Sequence, residues 1–109
     1  MALYMFQGSY TPEAWASMTK NPQDRSGGLT ELIQKLGGKL ISFYYCFGEY
    51  DVVAIFEAPD DITASAMVLV AISPGHAKTS KTTKLLTVQE AVEAMHKASS
   101  ASYQPPSKG

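Results

Sequence analysis

An α+β fold built on one four-stranded antiparallel sheet follows from three features of this sequence. Its apolar segments switch between the two-residue period of strands and the 3.6-residue period of helices. They run in the order strand, helix, strand, strand, helix, strand, with one more helix at the end. Glycine and proline punctuate the joints at Asn21-Pro22, Gly37-Gly38 and Ser73-Pro74-Gly75, and the two middle strands are joined by the short turn Gly48-Glu49-Tyr50-Asp51. That order is the split βαβ arrangement of a ferredoxin-like domain, here with an extra C-terminal helix.

Leu3 to Tyr10 is rich in aromatics and alternates loosely, as a strand does. Thr11-Pro12-Glu13 then supplies a capping hydroxyl, a proline at the first helical position and an acid in the first turn. The short helix carrying Ala14, Trp15 and Met18 ends at Asn21-Pro22, because a residue before proline avoids helical angles. A second helical piece places Leu29, Leu32, Ile33 and Leu36 on one face, and Gly37-Gly38 stops it.

Lys39 to Phe47 and Val52 to Ala58 form the hairpin. In the first strand Ile41, Phe43, Tyr45 and Phe47 alternate with Leu40, Tyr44 and Cys46; in the second, Val53 and Ile55 alternate with Val52, Ala54 and Phe56. Both faces are apolar, whereas a hairpin with one wet face alternates apolar with polar. Both faces are therefore expected to be covered.

Acids at Asp60 and Asp61 open a helix that carries no charge from Ile62 to Ile72, which predicts burial on more than one side. His76 to Leu86 is a more polar strand, and Lys78, Lys81 and Lys84 among its threonines suit a solvated sheet edge. Thr87-Val88-Gln89-Glu90 is a capping box, and Val88, Ala91, Val92 and Met95 predict a core-facing stripe on the last helix. The reading is one domain over residues 1–98 and a disordered tail over 99–109.

In such a domain the helices cover one sheet face only. The second apolar face predicts a homo-oligomer in which another copy's sheet covers it. A net charge of −1 without a basic cluster argues against nucleic-acid binding, and no segment approaches the ~20 apolar residues of a membrane span. One cysteine, Cys46, excludes an intramolecular disulfide and suits a cytoplasmic setting. The sequence begins with neither a basic region nor a continuous apolar stretch, so no signal peptide is expected. His76 and His96 lie too far apart in the sequence to predict a metal site.

Topology says which residues meet. The C-terminal ends of the first two strands share a pole with the N-terminal ends of the last two. Tyr10, Trp15, Tyr50, Asp51 and His76 collect there, and polar groups beside apolar walls are what a small-molecule site needs. Arg25 and Tyr44 complete the expected ligand-binding set. Asp51, with Tyr50 or His76 assisting, is the candidate acid–base pair. No Gly-x-Ser-x-Gly elbow, phosphate-binding loop or dinucleotide fingerprint is present.

Several short motifs share one order: Ser9-Tyr10-Thr11-Pro12-Glu13, Asn21-Pro22 with Asp24-Arg25, Gly37-Gly38-Lys39-Leu40, Phe43-Tyr44, Gly48-Glu49-Tyr50-Asp51, Ala58-Pro59-Asp60-Asp61, and Lys81-Thr82-Thr83 before Leu85-Leu86-Thr87. In this the chain resembles the GYD domain family, named for a glycine-tyrosine-aspartate signature. Gly27-Gly28, where better helix formers are expected, and His76 stand outside the family pattern. The resemblance implies a dimeric α+β barrel, subunits pairing sheet to sheet, and it implies little about activity. No cofactor is predicted; barrels of this superfamily sometimes hold haem through one histidine, which here would be His76.

The expected function is that of a homo-oligomeric α+β barrel protein binding a small molecule. A cofactor-independent enzyme performing proton-transfer chemistry, isomerisation or oxygenation is the alternative, and a purely structural or regulatory assembly subunit is a third.

Overall fold

A computed structural model describes residues 1–107 of the chain. Strand β1 (Ala2–Tyr10) is followed by helices α1 (Pro12–Lys20) and α2 (Ser26–Lys35) and by the hairpin of β2 (Lys39–Tyr45) and β3 (Val52–Ala58). Helix α3 (Asp61–Ile72), strand β4 (Ala77–Leu85) and helix α4 (Val88–Ser99) complete the order. The sheet order is β2-β3-β1-β4 with every neighbouring pair antiparallel, so β4 is an edge strand.

Local chemistry sets the helix boundaries. Ala14 N–H donates to Thr11 Oγ1 at 3.1 Å and Thr63 N–H to Asp60 Oδ1 at 2.7 Å, which satisfies backbone donors that a first helical turn leaves free. Thr87 and Glu90 bond each other's backbone N–H in a complete capping box. Helix α2 begins at Ser26, so Gly27 and Gly28 lie inside it. Asp24 Oδ1 accepts both the N–H and the hydroxyl of Ser26, at 2.9 and 2.6 Å, and that turn compensates for poor helix formers. Gly37 adopts a φ of +84° after α2, the left-handed conformation that glycine takes at little cost.

The interior is filled at one end of the sheet. Tyr4, Phe56 and Ala58 pack there against Ile33 of α2 and Ala64 and Met67 of α3. The Tyr4 and Phe56 rings stack with centroids 5.4 Å apart. Tyr4 Oη–H donates to Asp61 Oδ1 at 2.5 Å, and Lys84 Nζ pairs with the same oxygen at 3.0 Å. Toward the other end the helix-facing positions of β1 and β3 include the small residues Gly8, Val52 and Ala54, which leave space beneath the helices unfilled.

Three sequence expectations change. A register shift between Leu40 and Ser42 makes a bulge, so Leu40 joins Phe43 and Tyr45 on the helix-facing side while Tyr44 faces away. Strand β2 ends at Tyr45 and leaves Phe47 in the turn, 91% exposed. Helix α3 buries Ala64 and Met67 but leaves Ile62, Leu69 and Val70 exposed, so it is covered on one side rather than on several.

Helix α4 departs furthest from expectation. None of its residues is buried, and Val88 and Met95 are 83% and 66% exposed, so its apolar stripe meets no core within the chain. It therefore leaves the outer sheet face, with Leu3, Met5, Val53 and Ile55, uncovered. Residues 101–107 form no regular secondary structure and are exposed. The tail expected over 99–109 extends to residues 108 and 109, which lie outside the described residues.

Candidate functional site

The unfilled end of the interior is a cavity of about 530 Å³ between the sheet and helices α1, α2 and α3. Phe6, Phe43, Phe56, Leu29, Leu32 and Val68 supply apolar wall. The Phe6 ring lies across Gly8, where a Cβ would come within 2.8 Å of Phe6 Cε2, so glycine lets the ring lie low on the floor. Exposed lining residues mark the mouth: Ser17 from α1, Gln23, Asp24 and Arg25 from the α1–α2 connection, and His76 before β4. A volume of this size and a mainly apolar lining suit a small organic ligand.

Tyr10 stands where wall meets mouth. Burial pushes its phenol up to about 12, the neighbouring Tyr45 adds to the rise, and the Arg25 guanidinium pulls in the opposite direction. The Tyr10 ring meets Trp15 edge-on at 5.4 Å, Trp15 meets Tyr45 at 6.3 Å, and Phe43 lies 5.4 Å from Tyr45. Together these four rings make an aromatic cluster around the site.

Asp51 ties that cluster to the hairpin. Its Oδ2 accepts Tyr10 N–H at 2.9 Å and Trp15 Nε1–H at 3.1 Å. Asp51 N–H donates to Gly8 O at 2.8 Å, and Cys46 N–H to Asp51 O at 2.7 Å. One residue thus joins β1, α1 and the β2–β3 turn through four hydrogen bonds. Thr11 N–H donates to His76 O at 2.9 Å and brings the start of β4 to the same pole.

The expected site residues fall into three groups. Tyr10, Arg25 and His76 line the cavity. Trp15 and Asp51 lie behind Tyr10 and are not among the lining residues. Tyr44 is 66% exposed on the opposite sheet face, and Tyr50 is a half-buried turn residue whose carbonyl accepts Cys46 Sγ–H at 3.1 Å.

Sequence reasoning did not single out Tyr45, Phe43 or Asp24 for the site. Cross-strand pairing of Tyr45 with Val52 and of Phe43 with Ala54 is the signal that places both rings on the helix side. Asp24 lies below the ordinary carboxyl range because the Ser26 hydroxyl and N–H stabilise its charge. No group of three or more His, Cys, Asp or Glu side chains among the described residues could hold a metal ion. His76, the residue that the family resemblance offers for a haem, is exposed at the mouth of the cavity.

Sheet order, helices on one face and a mainly apolar cavity at the strand ends define a ferredoxin-like α+β domain. The chain belongs to the GYD domain family, whose model matches residues 4–95. Solved structures agree on the fold. MtbAldR is similar with a TM-score of 0.58 at 13% identity, covering 79% of this chain and 53% of its own, so the chain spans about half the length of that protein. TTHA0845 from Thermus thermophilus is similar with a TM-score of 0.52 at 18% identity, covering 81% and 96%. FFRP-DM1 is similar with a TM-score of 0.51 at 11% identity, covering 79% and 100%. No curated protein matches the sequence.

Proposed function

We propose that the chain is a cytoplasmic small-molecule-binding protein that acts as a homo-oligomer, its subunits paired through the outer faces of their sheets. The cavity of about 530 Å³ carries this reading, because its walls are mainly apolar and its polar groups gather at the mouth. Pairing is supported by an outer sheet face that no helix of the same chain covers, and a membrane setting gains nothing from the helices, none of which among the described residues is long and apolar enough to cross a bilayer. Binding is favoured over proton-transfer chemistry because Asp51, the candidate base, is not among the lining residues and turns one carboxylate oxygen to two N–H donors.

Native mass spectrometry of the full chain, followed by denaturation, tests the reading. An oligomer carrying a small excess mass that denaturation releases is expected. Ser17→Trp, on the exposed part of α1 that lines the mouth, is expected to remove that mass and to melt where the ligand-stripped wild type melts. A bare wild-type protein that also binds nothing from a panel of apolar compounds would overturn it.

A further inference from the structure

We infer that the ligand of this cavity is an apolar monoanion, its acidic group held at the mouth by Arg25 and its body packed against the phenylalanine and leucine walls. This rests on the small-molecule reading above and gives the ligand a charge.

The charged and titratable groups at the mouth are Arg25, Asp24, Tyr10 and His76. Asp24 is drawn into the turn before α2, its Oδ1 taken by the N–H and hydroxyl of Ser26. Arg25 has no such engagement. No carboxylate among the described residues lies within ion-pair distance of it. The ion pair found among those residues, Lys84–Asp61, belongs to the filled end of the sheet. An unpaired guanidinium therefore borders a mainly apolar cavity, and its planar fork matches a carboxylate.

Tyr10 adds no opposing charge. Its phenol keeps its proton at neutral pH and shares a hydrogen bond with Tyr45, so the cavity wall beside Arg25 presents a neutral group to an anion. His76 adds a ring N–H whichever protonation state it holds. An amine would meet the guanidinium as a like charge, and a neutral body would forgo the charge-assisted contact that a carboxylate makes with it.

Isothermal titration of the full-length protein with 2-naphthoate, 2-naphthamide and 2-naphthylmethylammonium separates the possibilities. Naphthoate is expected to bind roughly tenfold or more tightly than the isosteric amide, as an added charge-assisted contact implies. Arg25→Met should erase that preference while leaving amide binding in place, and Arg25→Lys should restore part of it. Equal affinity for acid and amide, a preference for the ammonium, or an acid preference that survives Arg25→Met would overturn the inference and leave the binding reading intact. No binding of any of the three would overturn the inference, and together with a bare native mass it would overturn the binding reading as well.

Discussion

Asp51 Oδ2 meets two donors from different elements, the backbone of β1 and the indole of α1. Each bond has a charged acceptor, and such bonds contribute about 1.5–3 kcal/mol where water is excluded. The carboxylate is only half-buried, so water replaces part of the loss when it is removed. Asp51→Ala is expected to cost about 2 kcal/mol and to lower the melting temperature by roughly 10 °C. Asp51→Asn, which keeps one acceptor, should cost about half as much. Thermal unfolding followed by Trp15 fluorescence measures both, and an unchanged midpoint in Asp51→Ala would mean that the aromatic cluster holds itself in place.

Gly38 shows how tightly the elements meet at the filled end. A Cβ there would run into the carbonyl of Glu57 and stand 2.9 Å from Met67 Cε and 3.1 Å from Ile33 Cγ2. Gly38→Ala should therefore destabilise the fold by about 2–3 kcal/mol, read as a lower urea midpoint with an unchanged slope. Gly28, inside α2 with open space around its Cα, should gain about 0.5–1 kcal/mol from alanine in the same assay. The helix starts were legible because capping is local: Thr11-Pro12, Asp60 and Thr87 with Glu90 announce themselves within four residues. The faces of β2 were not, since one bulged residue reverses the alternation and nothing near Ile41 marks it. Nor was the cavity legible, because it arises where Gly8 and Ala54 from separate strands come to lie beneath the helices. The pole that gathers Tyr10, Trp15 and Asp51 could be read from topology, but which of them face the cavity depends on side-chain directions that only the packed chain fixes.

At the scale of the molecule, an outer sheet face bearing the half-buried Leu3, Met5, Val53 and Ile55 is covered by no helix of the chain itself. Ile55 lies on the inner strand β3, where a charge on that face would be buried by sheet-to-sheet pairing. Light scattering should give a multiple of 11.8 kDa for the wild type and a single chain for Ile55→Glu, with no change in far-ultraviolet dichroism. A wild type of single-chain mass would remove the oligomer. Helix α4 and the exposed residues 101–107 beyond it also change how the particle moves through solvent. Its radius of gyration is 18.0 Å and its extents are 60 × 36 × 22 Å, against ~13 Å for a compact chain of this length. Drag on so elongated a body is greater than on a sphere of equal mass, so even a lone chain will elute early from a column calibrated with compact standards.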